Sequence, residues 1–412
     1  MSETFLVGGA VRDRLLGLKV LERDWVVVGS NPEALIELGF RQVGKEFPVF
    51  IHPESGEEYA LARTERKTGH GYRGFTFEAH PTVSLEEDLL RRDLTINAIA
   101  EDKDGQLHDP WGGLIDLELR LLRHVSPAFV EDPVRILRVA RFAAKFSAQG
   151  FRVAPETLDL MREMVAMGEV NHLVPERVFA ELVKTLKGPA PFVFFEVLKD
   201  CGALDVLFPE LAVLFHVPMQ LPEGISTAGA HTLKALLESA RLSSDPVVGF
   251  AVLTHELGKA LTDSSRWPQH PGYQRLGALP LGSLCDRLKV PSNYRQLAER
   301  VMRYHPLVHR LKRLSAGALV DLLQRLNAFR QPEAMTPFLL SCQADFAIGG
   351  LRSTEGYPQG DALIRAYQIA SLENAQSLVD LGLKGPEVGY ALRRKRIERL
   401  KAVERAAWVD PV

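Results

Sequence analysis

The chain has 412 residues, of which 46% are hydrophobic and 25% charged, and its formal net charge at pH 7 is −2. Such proportions belong to an ordinary globular protein of roughly two to four domains and exclude a polycation, so any nucleic-acid binding must use local basic surface. Cys201, Cys285 and Cys342 lie far apart without paired spacing, against a disulfide framework or a thiolate zinc site. The chain shows neither a signal segment nor an apolar run of membrane-spanning length, so the expected compartment is the cytoplasm, with no membrane partner.

In chain order, Gly8-Gly9 opens a helix predicted over 10–16, and the chain returns as a strand over 25–29 with Glu22 and Asp24 at its leading edge. Residues two apart on a strand share a face, so both acids aim at one spot. The glycine pair lets backbone N–H groups approach a phosphate, and the helix N-terminus behind it favours negative charge. Arg12 lies one turn inside and can grip a phosphate oxygen. Two acids facing a phosphate cradle call for a cation, most simply magnesium. This is the layout of metal-dependent phosphoryl transfer, in which held metal ions activate a hydroxyl and stabilise a pyrophosphate leaving group. Glu58, on a later strand, is the candidate third acid.

A helix over 31–38 and strands over 47–52 and 58–63 complete an α+β head on a small mixed sheet. The polar, glycine-rich stretch 63–81 reads as a mobile loop, and its part over 64–80 is expected to close on a bound nucleotide. In the run 91–99, either Asp93 caps the following helix and the arginines are surface charges, or Arg92 with Asp93 meets the ribose and phosphates of a nucleotide. Glu131-Asp132-Pro133-Val134-Arg135 has sharper content. Proline fixes a helix start, and Asp132 and Arg135, three apart, project from one face. An acceptor beside a donor matches the edge shared by cytosine and adenine, an amino group next to an unprotonated ring nitrogen, and selects CTP and ATP over GTP and UTP. Arg138 and Arg141 recur along the same helix and can hold a triphosphate.

From Asp132 onward the pattern is helical, over 133–146, 155–167, 175–187, 192–198, 247–261, 294–303, 316–326 and 386–405. A Pro/Gly-containing connection over 217–229 is the expected domain boundary. Basic residues concentrate at Arg120, Arg123, Arg135, Arg138, Arg141 and Lys145, and again at Arg393, Arg394, Lys395, Arg396, Arg399 and Lys401. Either group can serve RNA, and the second can equally be a solvated helix face.

The residues LVGGAVRD (6–13), ERDWVVVG (22–29), RRDLTINA (91–98) and EDPVRILRVARFAAKF (131–146) resemble the ordered motifs of class II tRNA nucleotidyltransferases, the bacterial CCA-adding enzymes. The similarity runs through nearly the whole chain and includes an HD-type body. It implies a polymerase β-like head over 1–140, a helical neck over 141–216, an HD-type helical domain over 228–330 and a helical tail over 331–412. It also implies that Gly9 and Arg12 bind nucleotide phosphate and that Glu22 and Asp24 hold Mg2+. Arg92 with Asp93 is then on the ribose side, Arg138 and Arg141 bind nucleotide, and Asp132 with Arg135 reads the base. The implied partners are tRNA, CTP and ATP, with no DNA, for a monomer or homodimer. The activity is addition of the 3′-terminal CCA of tRNA.

Two departures from that family are visible. Its first metal ligand is typically Asp where this chain has Glu22, which keeps the charge and adds one methylene. In the body, AVLTHELGK (251–259) carries His255-Glu256 where His-Asp is common. That pair, with His231 and His305, would hold Ni2+ or another divalent metal for phosphohydrolase chemistry. Pro306 after His305 and the histidine-poor run 269–273 favour a degenerate scaffold that helps hold tRNA. Two other readings stand beside CCA addition: a poly(A) polymerase of the same superfamily, against which the absence of a Lys/Arg-rich extension speaks, and a non-catalytic RNA-binding or HD phosphohydrolase protein.

Overall fold

The computed structural model describes residues 2–44, 49–67, 75–78, 80–221, 224–349 and 356–403. It divides into two compact units, residues 1–185 with 193–207 and residues 186–192 with 208–412.

The first unit opens with β1 (Glu3–Val7), α1 (Gly9–Leu15), β2 (Asp24–Val28), α2 (Pro32–Glu37), β3 (Arg41–Val43), β4 (Val49–Ile51) and β5 (Glu58–Leu61). After these come β6 (Thr64–Lys67), β7 (Phe75–Glu78), α3 (Leu85–Leu90), β8 (Ala100–Glu101), β9 (Leu107–His108), α4 (Gly113–Leu119) and β10 (Leu121–Leu122). The unit closes with α5 (Val134–Lys145), β11 (Arg152–Val153), α6 (Pro155–Ala166), α7 (Pro175–Leu186), α8 (Phe192–Asp200) and α9 (Ala203–Leu207).

The main sheet runs β3-β4-β5-β2-β1-β8-β9, with β2 and β5 parallel and the other neighbours antiparallel. Alternation along β2 places Val26 and Val27 on opposite faces. Val26 joins Phe5, Val7 and Leu89 in one core, while Val27 joins Leu35, Phe50 and Leu61 in another. At β2 the sheet is therefore buried on both sides, and the carboxylate of that strand, Asp24, stands at its end. There the register decides the site: Asp24 lies between Val7 of β1 and Glu58 of β5. Because Val7 directly precedes Gly8-Gly9, the glycine turn falls beside Asp24.

Three sequence expectations are corrected here. Glu22 precedes β2, which begins at Asp24, so strand alternation is not what brings the two acids together. The ends of the stretch read as a mobile loop form an antiparallel ribbon, β6 with β7, in register from Thr64↔Glu78 to Lys67↔Phe75. Ladder hydrogen bonds pair the backbone whatever the polarity of the side chains; residues 68–74 and 79 lie outside the described residues. The connection over 217–229 is a hairpin of β12 (Pro218–Leu221) with β13 (Gly224–Thr227) inside the second unit, and the chain crosses between units over 186–208 instead.

The second unit is helical beyond that hairpin: α10 (Pro209–Ala212), α11 (Ala228–Leu242), α12 (Pro246–Thr254), α13 (Tyr273–Leu276), α14 (Ala278–Arg287), α15 (Ser292–His309), α16 (Ala316–Arg325), α17 (Met335–Phe346), α18 (Pro358–Ser371), α19 (Gln376–Asp380) and α20 (Pro386–Ala402). Helix α12 is apolar almost all round and is buried against α11, α15 and α17, as such a helix must be. The helix expected over 247–261 stops at Thr254, and the chain tightens into a 3-10 turn, Leu257–Leu261. A Cβ on Gly258 would lie 2.0 Å from the Tyr273 carbonyl oxygen, so only glycine permits this close approach to α13.

Candidate functional site

In the first unit a cavity of about 660 Å³ lies between the β1–α1 turn, the 91–97 segment, α5 and α7. Gly8, Gly9, Arg12, Glu22, Asp24, Arg92, Asp93, Asp132, Arg135, Arg138 and Arg141 all line it, so the expected head residues other than Glu58 meet at one place. Nine Arg and Lys side chains against five Asp and Glu make its wall suited to a polyanion. Glu58 is not part of the lining, although its backbone neighbours Asp24.

Gly8 has φ +67°, and a Cβ there would meet Arg92 Nη1 at 3.0 Å, so glycine is required by conformation and by room. Desolvation by the surrounding protein pushes the Asp24 carboxyl above its ordinary range; Arg92 opposes the shift and the charge of Glu22 adds to it. Arg12 is buried, donates to Asn97 Oδ1, pairs with Asp13 at 2.6 Å, and lies 5.0 and 4.9 Å from the ring centroids of Phe142 and Phe146. Its guanidinium is thus fixed in place before any ligand arrives.

Asp93 is a buried anchor. It accepts from Leu94 N at 2.9 Å, Asn97 Nδ2 at 2.9 Å and Arg138 Nε at 2.6 Å. Burial alone would raise its carboxyl, but Arg138 and Asn97 outweigh burial and hold it well below the usual range. Asp88 behaves likewise: burial raises it, and Arg91 and Arg92 more than offset that. Arg92 donates to Asp88 Oδ2 at 3.1 Å and to Asn97 O at 3.4 Å. These bonds orient Arg92 and Arg138 toward the cavity wall.

At the other end, Arg135 is buried and donates from Nη1 to Ala128 O and from Nη2 to Arg91 O, each at 2.7 Å. The backbone C=O of Asp132 accepts from Arg135 N at 3.0 Å. The Asp132 carboxylate accepts from both Nη atoms of Arg177, at 3.2 and 2.8 Å, and from Val134 N at 3.1 Å. Arg141 donates to Glu181 at 2.5 Å and sits 4.4 Å from the Phe142 ring centroid. Arg177, Glu181 and Lys184 went unnoticed in the sequence, although their spacing along α7 (i, i+4, i+7) marks one charged stripe. Asn97, which bridges Arg12 and Asp93, gave no signal beyond its place in the polar run.

The expected basic surfaces are partly consumed internally. Arg123 pairs with Asp116 at 3.1 Å and with Glu156. Near the C-terminus Arg393 binds Asp321, Arg399 binds Glu373, and Arg396 stacks 3.6 Å from the Phe329 ring centroid. These cations tie α20 to its neighbours within the second unit.

The second unit gathers His231, His255, Glu256 and Asp345, whose donor atoms lie within 4.8 Å of one another, and His305 and His309 approach the same Asp345. Asp345 accepts from His231 at 2.7 Å, His255 at 3.2 Å and His309 at 2.7 Å. Burial raises Asp345, but the surrounding histidines, His255 foremost, outweigh it and hold the carboxyl well below its usual range. Burial likewise raises Glu256, yet Lys259, with which it pairs, and His255 bring it down to about 2. Asp345, a lone acid in the apolar run of α17, was missed, and so was His309, although it follows His305 by one helical turn. His305 bonds to Val301 O at 2.7 Å and to Tyr273 Oη at 2.9 Å, and burial lowers it to about 3. His270 faces elsewhere, bonded to Pro218 O and Thr262 Oγ1 at 2.8 Å each.

A family model described as the Poly A polymerase head domain matches residues 4–123, and one described as the Probable RNA and SrmB-binding site of polymerase A matches 150–215. The Multifunctional CCA protein of Methylococcus capsulatus is 57% identical over 408 residues, covering 98% of this chain and 96% of that one. A Bacillus stearothermophilus CCA-adding enzyme in complex with CTP superposes with a TM-score of 0.65 at 24% identity, over 97% of this chain and 89% of that one. A Thermotoga maritima CCA-adding enzyme complexed with tRNA superposes with a TM-score of 0.62 at 21% identity, over 98% and 88%.

Proposed function

The chain belongs to the multifunctional CCA protein family, and from that premise we infer that it adds and repairs the 3′-terminal CCA of tRNA. CTP and ATP are the substrates, pyrophosphate is released, and no nucleic-acid template is used. The observation that carries this reading is the single cavity in which paired acids, a glycine turn, a cationic wall and the Asp132–Arg135 segment converge.

In this reading Gly9, Arg12, Arg138 and Arg141 bind the triphosphate, Arg92 and Asp93 fix the ribose side, and Asp132 with Arg135 reads the base. Glu22 and Asp24 fit a hard divalent cation, because both are oxygen donors at one wall and the charge of Glu22 adds to the upward shift of the Asp24 carboxyl. Bound there, Mg2+ supplies charge neutralisation at the attacking 3′-hydroxyl and at the leaving phosphate. Arg12 is held by Asp13 and Asn97, and Arg138 by Asp93, so their charges meet the substrate without reorganisation. The head over 1–140 performs the transfer, while the neck over 141–216, the body over 228–330 and the tail over 331–412 bear on tRNA. No described helix is long and apolar enough to cross a membrane, and we place the protein in the cytoplasm with its substrate.

A second activity is favoured by the donor set of the second unit. His231, His255, Glu256 and Asp345 fit Ni2+ or another divalent ion, with hydrolysis of phosphate monoesters or 2′,3′-cyclic phosphates as the chemistry.

The decisive experiment is nucleotide addition to tRNA lacking CCA, with magnesium and labelled nucleotides supplied singly and together. Growth by C, C and A and no further, lost in Asp24→Ala, is the expected result. Long A tracts would mean a poly(A) polymerase, and tight tRNA binding without incorporation a binding protein.

A further inference from the structure

We infer that Arg177 is the residue that sets base selectivity in the head, by fixing which acceptor of Asp132 remains for the incoming base. The inference rests on the proposed reading of Asp132 as the base-reading carboxylate.

A carboxylate offers about four acceptor positions, two on each oxygen. In Asp132, Oδ1 takes Arg177 Nη1 and Val134 N, while Oδ2 takes Arg177 Nη2. Three described donors are thus seated, and the position left is on Oδ2, on a residue that lines the cavity. One remaining acceptor in a fixed plane suits one N–H of an exocyclic amino group, which cytosine and adenine carry at that edge. Guanine and uracil present a carbonyl there, which would face the carboxylate oxygen without a proton between them.

The position of Arg177 supports a dedicated role. It occupies the first turn of α7, where the helix dipole disfavours a cation, and the bidentate pair with Asp132 compensates for this. One turn further on, Glu181 holds Arg141 of α5. Helix α7 therefore clamps the base-reading end and the phosphate end of the same cavity wall, and Arg177 acts on the base only through Asp132, as a positioning residue.

The test is single-turnover addition with each of the four nucleotides by wild type, Arg177→Met, Arg177→Lys and Glu181→Gln, with thermal midpoints recorded in parallel. In Arg177→Met the preference for CTP and ATP over UTP and GTP, as a ratio of kcat/KM, is expected to fall at least about tenfold, the value of a lost charge-assisted hydrogen bond. Arg177→Lys, which keeps one point of contact, should recover part of it. Glu181→Gln should raise KM for all four nucleotides alike and leave the ratio in place. An unchanged ratio in a folded Arg177→Met, or an equal fall for every nucleotide, would overturn the inference. A wild type that does not discriminate would instead overturn the reading on which it rests.

Discussion

Arg138 donates its Nε–H to Asp93 Oδ2 at 2.6 Å, and this one bond joins α5 to the polar segment that follows α3. Because Asp93 also accepts from Leu94 N and Asn97 Nδ2, its removal leaves several donors unpaired in a buried place. Asp93→Ala is expected to cost about 2–3 kcal/mol, discounted for the partial exposure of Arg138. Chemical denaturation would show it as a lower midpoint, and nucleotide affinity should fall with it, since Arg138 loses its orientation.

The same carboxyl sets an acid limit. Its folded pKa lies below the ordinary value of 3.8, so the stability it contributes is complete above 3.8 and is lost as pH falls through the lower folded value. The difference in thermal midpoint between wild type and Asp93→Asn should therefore be constant from pH 5 to 8, about the working range, and should shrink below 3.8. A difference that grows on acidification would contradict the assignment.

Gly8→Ala places a methyl group 3.0 Å from Arg92 Nη1 in a left-handed backbone. A stability loss of about 1–2 kcal/mol is expected, together with a higher KM for CTP. Gly17→Ala is the control, since φ there is +69° and no atom lies within 4 Å of the added carbon. It should lose similar stability and keep the KM.

In the second unit, Asp345 contacts three histidines, so Asp345→Ala should reduce binding of a divalent ion by about 10–100-fold. Elemental analysis after dialysis against Ni2+ or Mn2+, with thermal midpoints before and after chelation, measures this. Wild type that retains no ion and shows no shift would remove the metal reading of this centre.

Much of the head was legible in the chain itself. The Gly8-Gly9 pair, the apolar β2 run and the proline-started α5 are local signals, because glycine permits positive φ, alternation buries a strand and proline fixes a helix start. Glu22 and Asp24 could be singled out as two acids beside a glycine turn, and Asp132 and Arg135 as an acceptor and a donor three apart at a helix start. Partnership across the fold could not be read in this way. Arg177 lies 45 residues from Asp132, Arg138 lies 45 from Asp93, and Asp345 lies 90 from His255. Short-range periodicity carries no information about such pairs.

The sequence by itself determined which side chains are candidates for the chemistry and which local segments present them, since both depend on residue type and spacing. Only the tertiary structure decided which charges are held internally and which of them line the cavity. Arg12, Asp93 and Arg135 proved to be bonded within the fold, and Asp132 is oriented by a helix that the local pattern does not connect to it. The physical reason is that a buried charge must find a partner, and that partner is set by how helices and strands pack.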